Sequence, residues 1–354
     1  MPAEFAPVSS PPGALPRSPA IRALRRALRW VTGPVLAPGP ASMRNIALAA
    51  VAANAVIMSS GAAVRLSQSG LGCPDWPKCT QHSLAATHVA GQTTLNTWIE
   101  FGNRLLTYPV VIVAVIAFVA AWQYRPPATG RRRKDLVWLA AALPAGVVAQ
   151  AVLGGIVVLT KLSPAWVSVH FLVSIAIVGA AVWLHVRSAE GIGPTRYLVR
   201  PDLRVLGGAL VAVTAVMVAA GTVVTGAGPH AGNAAAPRYP LPLVDVTQFH
   251  ADIGWLIGGL AAALVLGLRL SGASRRTMAY AWVMLGLIVA QGAVGYAQYF
   301  SHLPAGLVWV HVTTAVAVWI AVLRVFFAMR DRGPAAGPGT APLTEGAAAQ
   351  AARS

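Results

Sequence analysis

Long apolar runs separated by short polar connections form the main pattern of this chain. A helix that crosses a bilayer needs roughly 20 apolar residues, and its backbone polar groups have to be paired within the segment because lipid offers no partners. Eight runs meet this requirement, at residues 44–64, 98–123, 136–159, 164–186, 205–226, 247–270, 278–299 and 305–328. The pattern therefore predicts an all-α integral membrane protein with eight transmembrane helices.

The third and fourth spans resemble the seventh and eighth in sequence. Residues 147–170 read VVAQAVLGGIVVLTKLSPAWVSVH, and residues 288–311 read IVAQGAVGYAQYFSHLPAGLVWVH. In both segments V-A-Q is followed, in the same register, by V-x-V-H ending at His170 or His311. An even number of helices per half gives both halves the same orientation, so the repeat predicts two parallel-repeat four-helix bundles. Bundles of this kind suit cofactor binding in their cores.

The repeat and the composition divide the chain into segments. The two ends are rich in Ala, Pro, Gly or Arg and lack apolar periodicity, which is typical of segments without a packed core. We expect a cytoplasmic basic arm at 1–43, a first bundle at 44–187 with an outer cysteine loop at 65–97, a cytoplasmic linker at 188–204, a second bundle at 205–328 and a disordered cytoplasmic tail at 329–354.

Composition and charge exclude two other classes of protein. Only 10% of the residues are charged, whereas soluble globular chains have about 25%. The net charge of +17 would suit a nucleic-acid binder, but 22 of the 27 Lys and Arg lie at the chain ends and in alternate connections, and only four lie in the opposite connections. The positive-inside rule then predicts a multi-pass protein of the plasma membrane, surrounded by lipid, with both termini cytoplasmic and no nucleic-acid partner.

Three histidines stand inside predicted spans, within about two turns of their outer ends: His170, His250 and His311. An ionisable residue at membrane depth is costly and is therefore a candidate for function, although a hydrogen bond to a neighbouring helix would also explain it. His170 and His311 occupy equivalent positions of the repeat. His250 and His311 belong to one bundle at similar depth, which is the arrangement that a six-coordinate haem requires of its axial ligands.

The first bundle has no second histidine at the corresponding depth. The residue equivalent to His250 is close to Asn103, in the run WIEFGNR at the outer end of the second span. Glu100 and Arg104 are four residues apart and share a helical face. One interpretation is that they neutralise each other at the membrane interface. The other is that Glu100 faces a substrate inside the bundle and that Arg104 holds a propionate.

Cys73 and Cys79 are the only cysteines, in the segment GLGCPDWPKC of the first outer loop. A non-cytoplasmic compartment favours a disulfide between them. Their spacing, with no second cysteine pair, is poor for zinc. Two roles remain open, a structural link and an exposed, redox-active pair beside the first bundle.

These motifs together resemble the haem A synthase family. The resemblance rests on GAAVRLSQSGLGCPDWPKC, on WIEFGNR and on the helix pairs ending at His170 and His311, and it covers about residues 44–328. It implies an oxidoreductase that converts the C8 methyl of haem O to a formyl group in two successive oxidations, giving haem A for cytochrome c oxidase. It further implies haem O synthase and cytochrome oxidase assembly factors as partners.

The resemblance also assigns site residues. It implies a haem b with His250 and His311 as axial ligands, a substrate-haem ligand in His170 and a catalytic acid–base in Glu100, with Arg104 and Asn103 beside the cofactor. Here the chain departs from the family, which has Glu-x-x-His where this sequence has Glu100 and Asn103. The first bundle is then left with a five-coordinate haem on His170, or with a substitute ligand such as His88.

Two other functions fit part of the pattern. A non-enzymatic bis-histidine cytochrome b would need the paired histidines but gives no role to Glu100. A transporter would be expected to have broken helices and charged residues near the midplane, whereas the polar residues here cluster near the outer ends.

Overall fold

The computed structural model describes residues 32–87, 89, 91–127 and 129–335. The helices are α1 (Pro40–Leu66), α2 (Thr94–Leu105), α3 (Thr107–Gln123), α4 (Lys134–Leu159), α5 (Pro164–Ala189), α6 (Pro201–Ala227), α7 (Leu243–Leu270), α8 (Arg275–Phe300) and α9 (Ala305–Ala328). Two short strands, β1 (Arg196–Tyr197) and β2 (Arg330–Asp331), pair antiparallel.

Within the described ranges, eight helical segments are long and apolar enough to cross a membrane. The prediction of eight spans in an all-helical protein is therefore confirmed. Helices α2 and α3 together make one of these spans, Thr94–Gln123, which is interrupted at Leu106. Pro109 accounts for the interruption, because its ring lacks an N–H and clashes with the carbonyl of Leu105, four residues earlier.

Helix contacts join the spans into two rings of four. In the first ring, α1 and α4 each pack against both α3 and α5. In the second ring, α6 and α8 each pack against both α7 and α9. The two rings meet where α9 contacts α1 and α5 and where α5 contacts α6. The parallel repeat that would relate the rings, and the domain boundaries drawn from it, stay predictions.

Each ring is filled by buried side chains mainly on one side. We call this side, on which α1 begins and α9 ends, the arginine side, and the opposite one, which carries Cys73 and Cys79, the disulfide side. In α5 the buried hydrophobic residues run from Ile175 to Leu184, and in α9 most of them lie between Val316 and Phe327, all toward the arginine side. The three histidines lie nearer the disulfide side, where fewer side chains are buried.

A network of charged groups closes the arginine side of the first ring. Asp135 accepts hydrogen bonds from Arg133 and Arg187, both at 2.6 Å, and Arg187 also pairs with Glu190 at 2.5 Å. Asp135 and Glu190 thus supply the carboxylates that pair with these buried guanidinium groups. The pairing compensates for the cost of removing the charges from water.

The C-terminal end of α9 continues into this network. The nitrogen of Gly191 donates to the carbonyl of Gly333 at 2.7 Å, and β2 pairs with β1. Residues 330–335, which fall in the expected tail, are thus joined to the linker between the rings. Residues 1–31 of the expected arm and 336–354 of the tail lie outside the described residues.

The two rings are also tied together on the disulfide side. Arg65, at the end of α1, donates from Nε to the carbonyl of His230 at 2.6 Å and from a terminal nitrogen to that of Thr225 at 2.7 Å. The nitrogen of Gly70 donates to the carbonyl of Gly232 at 2.9 Å. The end of α1 and the loop that follows it are therefore hydrogen-bonded to the end of α6 and the loop after α6.

Candidate haem-binding sites

The second ring brings two imidazoles close together, with their planes inclined at 64°. His250 on α7 and His311 on α9 have ring centroids 6.3 Å apart. Two histidines that hold one metal ion from opposite sides, with nitrogen–metal bonds of about 2 Å, place their ring centres roughly 6 Å apart. The separation thus fits a pair of axial ligands.

A glycine on the neighbouring helix lies against each of these rings. A Cβ built on Gly221 of α6 would lie 3.1 Å from Cε1 of His250, and one on Gly295 of α8 would lie 3.2 Å from Cε1 of His311. The ring edge that carries Nδ1 and Cε1 is therefore turned toward the glycine, and both Nδ1 atoms are buried without a hydrogen bond of normal geometry to a described residue. Nε2 of each ring makes no hydrogen bond of normal geometry to a described residue, which leaves it for a ligand.

Glutamines fix the backbone of two of the histidines. Gln291 donates to the carbonyl of His311 at 2.8 Å, and Gln150 donates to that of His170 at 3.0 Å. Gln150 also donates to Ser174 at 2.6 Å, whereas Gln291 accepts from the hydroxyl of Thr314. The glutamines belong to the repeated V-A-Q motif, so the sequence marked them, but it did not indicate what they contact.

The first ring contains one such imidazole. His170 on α5 lies opposite Gly154 of α4, where a built Cβ would be 3.6 Å from the Cε1 atom, and its Nδ1 is likewise buried without a described hydrogen-bond partner. Asn103 on α2 is hydrogen-bonded to the hydroxyl of Ser60 on α1 at 2.7 Å. His88, the suggested substitute ligand, lies outside the described residues.

Glu100 and Arg104 hold the cysteine loop. Glu100 is 5% exposed; its Oε2 accepts from the nitrogen of Cys73 at 2.8 Å, and its Oε1 accepts from Arg104 at 2.7 Å. Arg104 also donates to the carbonyls of Cys73 at 2.6 Å and of Asp75 and Lys78 at 3.0 Å each. Arg104 makes a second contact with Oε1 of Glu100, from Nε at 3.2 Å. A guanidinium has five N–H donors, so these five contacts occupy the whole group. The predicted propionate contact of Arg104 stays a prediction, and it would require some of these bonds to be given up.

The loop between α1 and α2 closes the disulfide side of the first ring. Cys73 and Cys79 form the expected disulfide, which is thereby confirmed, and the two residues are 0% and 1% exposed. The redox-active interpretation assumed an exposed pair, whereas this one is buried. A Cβ on Gly72 would lie 2.5 Å from the carbonyl oxygen of Asn96, and one on Gly155 of α4 would lie 2.7 Å from the ring of Trp76. Both glycines let the loop lie directly on the helices.

The histidine sites suit a metal that brings most of its own ligands. Across the part of the chain that the structure describes, no three His, Cys, Asp or Glu side chains are grouped as they would be around a metal ion. Haem supplies four nitrogen ligands itself and asks the protein only for axial ones. The pair in the second ring fits that requirement, and His170 fits half of it.

Eight spans, with imidazoles placed between them in the less filled half, define a multi-spanning membrane protein with candidate haem-binding sites. Residues 44–323 match the family model COX15-CtaA, described as cytochrome oxidase assembly protein, and the chain belongs to this family.

Curated relatives carry the same assignment. The chain is 24% identical over 301 residues to the haem A synthase of Shewanella oneidensis, covering 72% of this chain and 87% of that one. It is 29% identical over 111 residues to the haem A synthase of Geobacillus thermodenitrificans and 32% identical over 109 residues to that of Lysinibacillus sphaericus. These two matches cover 31% and 32% of the relatives, about a third of each. The predicted membership of the haem A synthase family is confirmed.

Proposed function

We propose that this chain is a haem A synthase that binds haem O in the first ring and oxidises its C8 methyl to a formyl group. The observation that carries the proposal is the difference between the rings. The second ring has two imidazoles at a separation that suits a permanently held haem b, while the first has one imidazole beneath a loop fixed by a buried carboxylate. Relatives named haem A synthase support the choice of reaction.

In the second ring, His250 and His311 would hold haem b from opposite sides. When bound, haem b supplies one-electron transfer. The glycines at 221 and 295 let both imidazoles sit close to the neighbouring helices, and Gln291 keeps the turn that carries His311 in place. These contacts hold the histidines in place before the cofactor arrives, which reduces the ordering cost of binding.

In the first ring, His170 would bind the iron of haem O, and the substrate methyl passes through an alcohol and a hydrated aldehyde. Glu100 is the proposed acid–base group, and its carboxylate is buried and already positioned by the nitrogen of Cys73 and by Arg104. The loop that contains the disulfide would keep bulk water from the substrate, which strengthens electrostatic interactions at the reacting carbon.

The proposal extends to the cellular setting. The Lys and Arg distribution supports a plasma-membrane protein with both termini cytoplasmic, and haem O synthase and cytochrome oxidase assembly factors are its proposed partners. Leu84→Cys places a thiol at a position of the same loop that is 72% exposed, and its labelling by a membrane-impermeant reagent in intact cells is the expected result. Labelling only after lysis would contradict the orientation.

Product analysis tests the reaction itself. Purified protein supplied with haem O, a reductant and dioxygen should release haem A. A non-enzymatic cytochrome b is the competing candidate, favoured by the His250–His311 pair and by the fact that Glu100 has a structural contact with the loop. Unchanged haem O beside an intact low-spin haem b spectrum would select that candidate and reject the synthase.

A further inference from the structure

We infer that the first ring contains an exchangeable small-ligand site, bordered by Gly61, Ser60 and Asn103, on the side of the bound haem opposite His170. The inference deepens the proposed function and rests on it, because it presupposes a haem on His170. The ligand class is a small molecule no larger than imidazole that can bind iron and hydrogen-bond to an amide.

Four glycines of the two rings differ in what lies beside them. Three of them, Gly154, Gly221 and Gly295, each have a histidine Cε1 within 3.1–3.6 Å of a built Cβ. The fourth is Gly61 on α1, which aligns with Gly221 in the repeat, since Gly61 follows Ser60 as Gly221 follows Ala220. A Cβ on Gly61 would meet no described atom within 4 Å. The space that an imidazole fills beside the other three glycines is open here.

Gly61 faces the interior of the first ring. The buried residues of α1 include Asn54, Met58 and Val64, which form one stripe toward the interior of the ring. Gly61 lies three residues from Met58 and from Val64 and seven from Asn54, so it continues this stripe. The open space is therefore inside the ring rather than on the lipid-facing surface.

Asn103 approaches this space from α2, where it is hydrogen-bonded to Ser60, the neighbour of Gly61. Its amide ends one bond short of the position that Nε2 of a histidine would reach, so it cannot fill the space as a second imidazole would. The hydroxyl of Ser60 engages one amide atom and also lies 3.0 Å from the carbonyl of Ile57. The other amide atom has no hydrogen-bond partner among the described residues and can contact a ligand. A fixed polar group next to an open space is suited to a small, exchangeable molecule.

Imidazole is the probe that matches the open space. Oxidised full-length protein carrying haem b in the second ring and haem O in the first is titrated with imidazole while optical and EPR spectra are recorded. We expect the haem O signal to change from high-spin to low-spin with a saturable Kd, while the haem b signal stays constant. Cyanide should produce a corresponding change at the same haem.

Three variants locate the binding site. In Asn103→His the new ring should lie against Gly61, so that haem O is low-spin without imidazole and does not respond to it. In Gly61→Val the added methyl groups should weaken imidazole binding about tenfold or more, equivalent to roughly 1.4 kcal/mol. Gly292→Val on α8 is the matched control, since Gly292 is exposed and a Cβ there also meets no described atom within 4 Å. Its imidazole Kd should equal that of the parent.

The outcomes separate this inference from the function it rests on. If neither the parent nor any of the variants retains haem O in the first ring, the proposed substrate site is rejected. If the parent protein retains haem O that is low-spin before imidazole is added and does not respond to imidazole, the ligand site is overturned. If His88→Ala then restores the response, His88 is the residue that fills the site. Equal imidazole affinity in Gly61→Val and the parent would overturn it as well.

Discussion

The two rings differ in the candidate haem ligands that the same helical arrangement presents. The second ring offers two imidazoles, each close to a glycine and with Gln291 fixing the backbone of one of them. The first has one imidazole and its glutamine, and it adds a disulfide-closed loop above the site. Asn103 is the residue predicted to stand where a second imidazole would be. Two axial bonds suit a permanent cofactor. One axial bond under a cover suits a substrate that has to enter, react and leave.

Removing an imidazole from the second ring should have the largest effect. His311→Ala leaves a single axial ligand, so we expect complete loss of the low-spin haem b spectrum in the purified protein. His302→Ala, in the exposed turn between α8 and α9, is the matched control and should keep the parental spectrum. An unchanged low-spin haem spectrum in His311→Ala would reject the proposal that the second ring holds haem b while the first binds the substrate.

Glu100→Gln should lower the activity that we assign to the first ring and leave the haem spectrum of the second ring unchanged. The amide keeps the shape of the carboxylate but cannot exchange a proton, and loss of an acid–base group typically costs about 10²–10⁴-fold in rate. Haem O conversion should fall by that order while the haem b spectrum is unchanged. The exposed Asp202→Asn, on the arginine side, is the control. Conversion at the parental rate would remove Glu100 from the catalytic assignment.

Opening the disulfide should affect only the first ring. For a loop of this length the chain-entropy estimate is about 2 kcal/mol of stability. The double variant Cys73→Ala, Cys79→Ala should therefore lower the thermal midpoint and the retention of haem O, with haem b unaffected. The structural interpretation predicts that conversion persists once haem O is saturating. A folded, saturated double variant without activity would instead favour the redox-active interpretation.

The glutamines should give the smallest and most symmetrical effects. Each makes hydrogen bonds of about 1 kcal/mol, which is roughly fivefold in an equilibrium constant. Gln291→Leu should weaken haem b retention alone, and Gln150→Leu should weaken haem O binding alone. Haem release is followed by transfer to an apo-acceptor protein. Cross-effects, in which either variant loosens the haem of the other ring, would contradict independent sites.

Sequence reasoning reached the spans and the histidines because both are imposed by strong constraints. A bilayer fixes the length and polarity of each helix, and the repeat made His311 recognisable from His170. The interruption at Leu106 was also encoded, in Pro109, but the apolar pattern runs through it. The disulfide was predictable because the loop was expected to face a non-cytoplasmic compartment, where disulfides form.

The remaining features depend on how the loop lies on the helices. Glu100 and Arg104 were recognised as a pair, but their acceptors are backbone atoms of the cysteine loop, whose path is not a periodic property of the sequence. Glycines are common in membrane helices, so the ones beside histidines could not be distinguished from the rest. Residues 330–335 read as a tail because two-residue strands carry no detectable pattern.

The contacts of Arg65 and Gly70 have a consequence for how the protein is made. Their acceptors lie far downstream; His230, for example, is 165 residues after Arg65. During synthesis, the first four spans and their disulfide emerge while these acceptors are still untranslated. The loop of the first ring therefore gains all of its contacts only after α6 has been inserted and the loop that follows it has reached the disulfide side. The loop of the first ring is thus fully supported only in the finished chain. A half-length product would contain His170 but would lack the contacts that hold the loop in place.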